Sequence, residues 1–259
     1  MQLTDTHTHL YAEEFDADRD TMITAAIEKG VTKFFLPNIE SRSVAAMMQL
    51  TEKYPNNCFA MMGLHPCSVN ETVEEELKMV EQHLFSQKFC AVGEIGMDLY
   101  WDKTFVEQQK MAFRTQMEWA IKLNLPISIH CRNAFDEIYE LMLEYAKPNE
   151  NNILRGIFHC FSGNTEQAQK IIALGFYLGI GGVVTFKNSG LDKVVKEIYL
   201  EKFVLETDSP YLAPVPFRGK RNESAYLLYV AQKIAEIKNC SIEKLAEITS
   251  YNAQQIFGI

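Results

Sequence analysis

Short apolar runs alternate with amphipathic helical patterns along almost the whole chain. The runs that predict strands cover residues 3–8, 32–36, 59–64, 90–95, 127–130, 156–160, 177–180 and 203–206. The stretches that predict helices cover residues 18–29, 43–53, 73–85, 105–123, 134–145, 165–174, 191–198, 221–239 and 241–257. This alternation favours a parallel sheet with helices on its faces, and eight strand–helix units in 259 residues are typical of an α/β TIM (β/α)8 barrel.

No Gly/Ser linker, low-complexity tract or repeat of fixed period divides the pattern, so we expect residues 1–259 to form a single domain. The beginning of the sequence lacks the basic and apolar segments of a signal peptide, and no run approaches the roughly 18 apolar residues of a membrane span. Six scattered cysteines include no Cys-x-x-Cys pair, which argues against a disulfide framework or a zinc ribbon. We expect a cytoplasmic protein with free thiols, no membrane association and no obligate protein partner.

The formal net charge of −9 disfavours broad, sequence-independent binding along a nucleic-acid backbone, because such binding needs a basic face. It does not exclude a phosphate group that is held locally. Exposed charges are screened over roughly 8 Å at physiological salt, so metal ions in a cleft can dominate the field there.

His7 and His9 lie two residues apart at the end of the first predicted strand. Alternate residues of a strand point to the same face, so the two imidazoles are expected side by side. Taken alone, they are either half of a metal site or a chance pair in a frayed terminus.

Five of the six histidines lie at the carboxyl ends of predicted strands, together with three carboxylates; only His83 lies in a helical stretch. The carboxyl ends of the strands of a parallel barrel meet at one mouth, where active sites are built. A cluster of buried polar groups without partners would cost about 1–3 kcal/mol per group, against a net stability of only about 5–15 kcal/mol. Divalent ions remove that cost, so the gathering of imidazoles and carboxylates at the strand ends predicts a metal site.

Some polar residues near the same mouth have an ordinary alternative role. His65 precedes Pro66 and either serves only the turn or contacts substrate. Asp5 shares a face with His7 and is expected to orient an imidazole or to pack in the barrel. Glu206 shares a strand face with Asp208, whose own alternative role is to cap the following turn.

Basic residues follow two of the same strands. Arg132 comes directly after His130, and Arg218, Lys220 and Arg221 lie in a Pro-rich loop after Asp208. They are either solvated loop charges or phosphate contacts. Their position next to the predicted metal site favours phosphate contacts, since Arg can hold phosphate oxygens with two hydrogen bonds.

Seven short motifs occur along the chain in a fixed order: Asp5-Thr6-His7-Thr8-His9-Leu10, Gly63-Leu64-His65-Pro66, Val92-Gly93-Glu94-Ile95-Gly96-Met97-Asp98, Ile129-His130-Cys131-Arg132, Phe158-His159-Cys160-Phe161-Ser162-Gly163, Glu206-Thr207-Asp208-Ser209-Pro210-Tyr211 and Arg218-Gly219-Lys220-Arg221-Asn222. With them, the whole chain resembles the TatD family of metal-dependent deoxyribonucleases. The resemblance implies an amidohydrolase-type barrel with two adjacent divalent ions. It places His7, His9 and Asp208 on the first ion, His130 and His159 on the second, and Glu94 between both.

The expected reaction is hydrolysis of DNA phosphodiester bonds, in single or double strands, with Asp208 as general base. Glu206 is expected to position the water or the leaving group, and the ligands do not choose between Mg²⁺, Mn²⁺ and Zn²⁺. One alternative is an amidohydrolase-type enzyme that acts on a small molecule or on the ester of a misacylated tRNA. Another is a barrel that has lost catalysis and only binds. The intact ligand set argues against the second, and the basic residues at the mouth favour a nucleic acid.

Overall fold

Eight parallel strands form one sheet in the order of the chain, β1 to β8. The computed structural model describes residues 1–145 and 154–259. The strands are β1 Leu3–Asp5, β2 Val31–Pro37, β3 Cys58–Met62, β4 Ala91–Asp98, β5 Ile127–Arg132, β6 Gly156–Phe158, β7 Tyr177–Ile180 and β8 Phe203–Leu205. The sheet closes through Thr6, directly after β1, whose N–H and hydroxyl both donate to the carbonyl of Leu205 in β8. The expected TIM barrel is therefore confirmed.

Helices follow the strands and cover the outside of the sheet. They are α1 Arg19–Glu28, α2 Val44–Lys53, α3 Val73–Ser86, α4 Val106–Leu123, α5 Phe135–Tyr145, α6 Thr165–Ala173, α7 Leu191–Glu197, α8 Leu227–Lys238 and α9 Ile242–Phe257. Local chemistry sets several ends: Asn164 and Gln167 cap α6 reciprocally, and Asn124 ends α4 in the left-handed conformation. Within residues 1–145 and 154–259, no helix is long and apolar enough to cross a membrane.

Apolar side chains fill the lower half of the barrel, near the amino ends of the strands. Phe35, Met61, Ala91, Ile157 and Val204 come from five strands and pack with the last turn of α9 (Ala253, Ile256 and Phe257). The rings of Phe35 and Phe257 are 4.3 Å apart. A second, larger apolar layer lies between the sheet and the helices, so the polar groups are left to the opposite end.

Two kinds of predicted boundary were wrong. Strands β1, β3, β6 and β8 end one to three residues early, so His7, His9, His159 and Glu206 lie just beyond the strands. Backbone hydrogen bonds still hold them: His159 N–H donates to Ile129 and Asp208 N–H to His7. Strands β4 and β5, in contrast, continue past Glu94 and His130 to Asp98 and Arg132.

The helix predicted from residue 221 begins as α8 only at Leu227, after a short 3₁₀ turn at Ser224–Tyr226. The side chains before it are committed elsewhere. The Asn222 amide donates to the carbonyls of Thr207 and Tyr211, and the Ser224 hydroxyl donates to Asp5. These bonds fix the loop after β8 and prevent an earlier helix start.

Candidate metal centre

The two oxygens of the buried Glu94 carboxylate face different groups of side chains. On one side, Oε2 lies 3.0 Å from His7 Nε2 and 3.7 Å from His9 Nε2. The same His9 nitrogen is 3.5 Å from Asp208 Oδ1. Ligand atoms of His7, His9 and Asp208 all lie within 4.8 Å of one another, which is close enough for one ion to contact all three.

On the other side, Glu94 Oε1 lies 2.8 Å from His130 Nδ1, 2.7 Å from His159 Nε2 and 3.2 Å from His65 Nε2. The ring of His159 also stacks on that of His7, with centroids 3.7 Å apart. Glu94 and this stacked pair therefore join the two groups into one centre.

The outer nitrogens of His7 and His9 each have a hydrogen-bond partner that orients the ring. The Tyr11 hydroxyl donates to the carbonyl of Pro37 and so accepts from Nδ1–H of His9, at 2.9 Å. Nδ1 of His7 lies 3.2 Å from the Ser128 hydroxyl. In both rings Nδ1 therefore has a partner outside the centre, and Nε2 faces the centre.

A carboxylate orients His130 from behind, since Nε2 of its ring lies 2.9 Å from Asp98 Oδ2. The other Asp98 oxygen accepts the N–H groups of Tyr100 and Trp101. Burial raises the pKa of Asp98, but the hydrogen bond from His130 and the two backbone bonds outweigh it and hold the pKa well below its usual range. Nδ1 of His130 is thus the nitrogen that faces Glu94.

Glu206 lies behind His159, and its Oε1 is 3.7 Å from His159 Nδ1 and accepts the Cys160 N–H at 2.5 Å. Among the described residues, His159 Nδ1 and Glu206 Oε2 are the buried side-chain atoms that lack a hydrogen-bond partner. Glu206 therefore lies on the far side of the His159 ring from Glu94.

Imidazoles and carboxylates within the centre shift one another's pKa values. Burial, with the charge of His159, lowers the pKa of His7 to about 4, so this imidazole is neutral at pH 7. Burial opposes ionisation of Glu94, but His159, His65 and His7 hold its pKa well below the usual range. Burial likewise opposes a charge on His159, but Glu94 and Glu206 raise its pKa. Imidazole nitrogens and ionised carboxylate oxygens that converge in this way fit divalent ions, which bind imidazole in its deprotonated form and so displace its proton.

All six predicted ligands therefore converge, and His65 lies against them. Cys67 N–H donates to His65 Nδ1, so the neutral His65 ring carries its proton on Nε2 and is a hydrogen-bond donor towards Glu94. Asp5 is buried in the barrel, which is one of its two expected roles, and it accepts hydrogen bonds from Thr207 and Ser224 that hold the loop after β8.

The four basic side chains that were predicted to contact phosphate lie in different surroundings. The Arg132 guanidinium lies over Tyr100, Arg218 lies over Phe186, and Lys220 is exposed. Arg221 instead forms a two-pronged salt bridge with Asp18, at 2.8 and 2.6 Å. Its guanidinium already has partners in the structure, which argues against a phosphate contact for Arg221.

The main omission from the sequence analysis is Asp98. A signal was present, since residues 94 and 98 share one face of an extended strand. It was missed because the fourth strand was predicted to end at residue 95, which would have left Asp98 in a loop.

Residues 4–258 match the family model described as TatD related DNase. The chain belongs to the TatD-related DNase family. It is 39% identical to the uncharacterized metal-dependent hydrolase YabD of Bacillus subtilis, over 99% of each chain. It is 31% identical to the 3′-5′ ssDNA/RNA exonuclease TatD of Escherichia fergusonii, over 98% of each chain. The crystal structure of YjjV, a TatD homolog from Escherichia coli K12, matches with a TM-score of 0.92 and 28% identity, over 99% of this chain and 98% of that one.

Membership of the TatD family makes this chain a hydrolase, and the converging imidazoles and carboxylates make it a metal-dependent one. The family resemblance drawn from the seven motifs is confirmed over nearly the whole chain.

Proposed function

We propose that this TatD-family protein is a deoxyribonuclease that hydrolyses DNA phosphodiester bonds with two divalent ions and Asp208 as general base. One observation carries the proposal: the two oxygens of Glu94 face two separate groups of imidazoles. A carboxylate shared by two ions would direct one oxygen towards the ligands of each ion, as Glu94 does. A single ion would not require the two oxygens to face different groups. His7, His9 and Asp208 would hold the first ion, and His130 and His159 the second, with Glu94 between them.

When bound, the ions would polarise the phosphate, lower the pKa of a water and neutralise charge on the transition state. Mg²⁺, Mn²⁺ and Zn²⁺ all suit a mixed set of imidazole and carboxylate ligands. Side chains of the protein would supply the base, the hydrogen-bond donors and the contacts with the substrate.

Two features of Asp208 support a role as the base. Its carboxylate is 13% exposed, compared with 2% for Glu94, so it can meet a water that enters from the mouth. Burial alone would raise its pKa, but the hydrogen bond with His9 and the charges of His159 and His7 lower it. An ionised Asp208 can take the proton of the attacking water at neutral pH.

His65 is suited to donate a hydrogen bond to a phosphate oxygen or to the leaving oxygen, since its Nε2 carries the proton. Arg132, Arg218 and Lys220 would contact flanking phosphates from the surrounding loops. Glu206 would act indirectly by keeping His159 in place. The name of the Escherichia fergusonii relative supports nucleic acid as the substrate class.

The test is a cleavage assay on end-labelled single- and double-stranded DNA. The protein is first stripped with a chelator and then given Mg²⁺, Mn²⁺ or Zn²⁺ separately. We expect metal-dependent release of nucleotides that Asp208→Asn abolishes. The proposal is wrong if no ion supports DNA cleavage while the same preparation hydrolyses a lactone or an amide.

A further inference from the structure

Two large aromatic side chains are exposed on the loop that follows β4. Tyr100 is 51% exposed and Trp101 is 69% exposed, and their rings meet edge to face with centroids 4.8 Å apart. They follow the strand that carries Glu94 and Asp98, so they lie on the side of the barrel that holds the metal centre. Neither residue has a role in the reaction as described above.

A basic side chain completes this surface. The Arg132 guanidinium lies 4.0 Å from the centroid of the Tyr100 ring and 5.1 Å from that of Trp101. Within residues 1–145 and 154–259, no carboxylate forms a salt bridge with Arg132. Its charge is therefore held by aromatic rings and is open to an anion from solvent.

The surface is tied to the metal centre by one carboxylate. Asp98 Oδ1 accepts the N–H of Tyr100 at 2.9 Å and that of Trp101 at 3.3 Å, while Oδ2 contacts His130. Asp98 and Arg132 are also register partners in the β4–β5 pair. A ligand on this loop is therefore held beside the second group of imidazoles.

We propose that Tyr100, Trp101 and Arg132 form a platform on which an unpaired nucleobase of the substrate stacks. This inference rests on the proposed nuclease function. Each base has an apolar π-face that an exposed indole can cover, and the adjacent guanidinium can contact the phosphate of the same nucleotide. In a duplex that face is covered by neighbouring base pairs.

The acidic balance of the chain favours this occupant over a duplex. A net charge of −9 gives little attraction to the dense charge of two strands, so affinity has to come from local contacts. Stacking supplies such contacts and tolerates any base, which suits an enzyme that must process a strand of arbitrary sequence.

Fluorescence tests binding separately from cleavage. The chain contains two tryptophans, so Trp119→Phe leaves Trp101 as the only indole. In the presence of a chelator, which prevents turnover, the probes are a (dT)8 strand, an abasic strand of equal length and charge, and a blunt duplex. We expect the (dT)8 strand to quench Trp101 with an affinity about 10-fold above that of the abasic strand and the duplex.

Kinetics test the same platform during turnover. Trp101→Ala should raise KM for single-stranded DNA about 10-fold and change kcat less than 3-fold, because the residue contacts no reacting atom. Trp101→Phe should restore most of the KM. The control is Tyr199→Ala, which removes an aromatic that is 79% exposed on the loop after α7, towards the other end of the barrel.

Equal affinity for the (dT)8 and abasic strands, or an unchanged KM in Trp101→Ala, would overturn the platform even if cleavage occurs. A concentration-dependent dimer that Trp101→Ala dissociates, without any quenching by DNA, would assign the surface to a protein contact and also overturn it. Failure of the nuclease proposal looks different, since the wild-type protein would then release no nucleotides whatever its binding.

Discussion

The two ends of the barrel bury opposite kinds of side chain. Near the amino ends of the strands, Phe35 packs on Phe257 within an apolar cluster. Near the carboxyl ends, Glu94 lies buried among imidazoles. The apolar end gains free energy from burial, whereas the polar end is tolerable only because hydrogen bonds and opposite charges compensate its groups.

Stability and catalysis therefore depend on different ends of the same barrel. At the amino ends of the strands, stability depends on the volume of the buried side chains. At the carboxyl ends, activity depends on the charges of the side chains and on the positions of their hydrogen-bond donors. Substitutions at the two ends should therefore fail in different assays.

The largest expected effect is that of Glu94→Gln, which keeps the shape of the side chain and removes its charge. Loss of the shared carboxylate should reduce bound metal and lower nuclease activity on the order of 10³-fold, with an unchanged circular dichroism spectrum. Metal content per chain and cleavage rate are measured together. The matched control is Glu247→Gln on the exposed side of α9. Full metal content with full activity in Glu94→Gln would remove the central role given to Glu94.

Phe257→Ala should produce the converse result at the lower end. Removing this ring leaves a cavity against Phe35 and should lower the free energy of unfolding by about 3 kcal/mol, with kcat changed less than 2-fold. Urea unfolding measures the loss. Tyr251→Ala, which removes an aromatic that is 58% exposed on the same helix, should cost much less. A large fall in kcat without a change in stability would show that the two ends are not separate.

Asp98→Asn tests a residue that orients His130 but is not itself one of the six predicted metal ligands. The weaker acceptor should hold His130 less firmly and lower metal affinity about 10- to 100-fold. Metal titration followed by calorimetry measures the change, and excess metal should restore most of the activity. No restoration at saturating metal would indicate that Asp98 does more than orient His130.

Much of this arrangement could be predicted from the sequence because the signals are local. The apolar runs gave every strand, and each of the six ligands lies at or just beyond a strand, where the topology must gather them. Asp98 was missed because the sequence does not mark how far β4 extends. Glu206 was expected to share a strand face with Asp208, but β8 ends at Leu205 and the Glu206 carboxylate lies behind His159.

Arg221 shows what local reasoning cannot supply. Its partner Asp18 is 203 residues away along the chain, and the two meet only because the barrel closes. A run of basic residues beside the active site gave no sign that one of them was already paired. Lys220, its neighbour in sequence, is exposed.

The smallest expected effect follows from the difference between the paired Arg221 and the exposed Lys220. Arg221→Ala should leave KM for DNA within 2-fold of the wild-type value, because its guanidinium is held by Asp18 and Glu223 and lies over Phe15. It should lower the free energy of unfolding by about 1 kcal/mol, as expected for a partly exposed ion pair. Lys220→Ala should instead raise KM several-fold, more at low salt than at high salt, and leave stability unchanged. Equal increases in KM for the two variants would show that the Asp18 salt bridge opens on DNA binding, and both charges would then belong to the substrate surface.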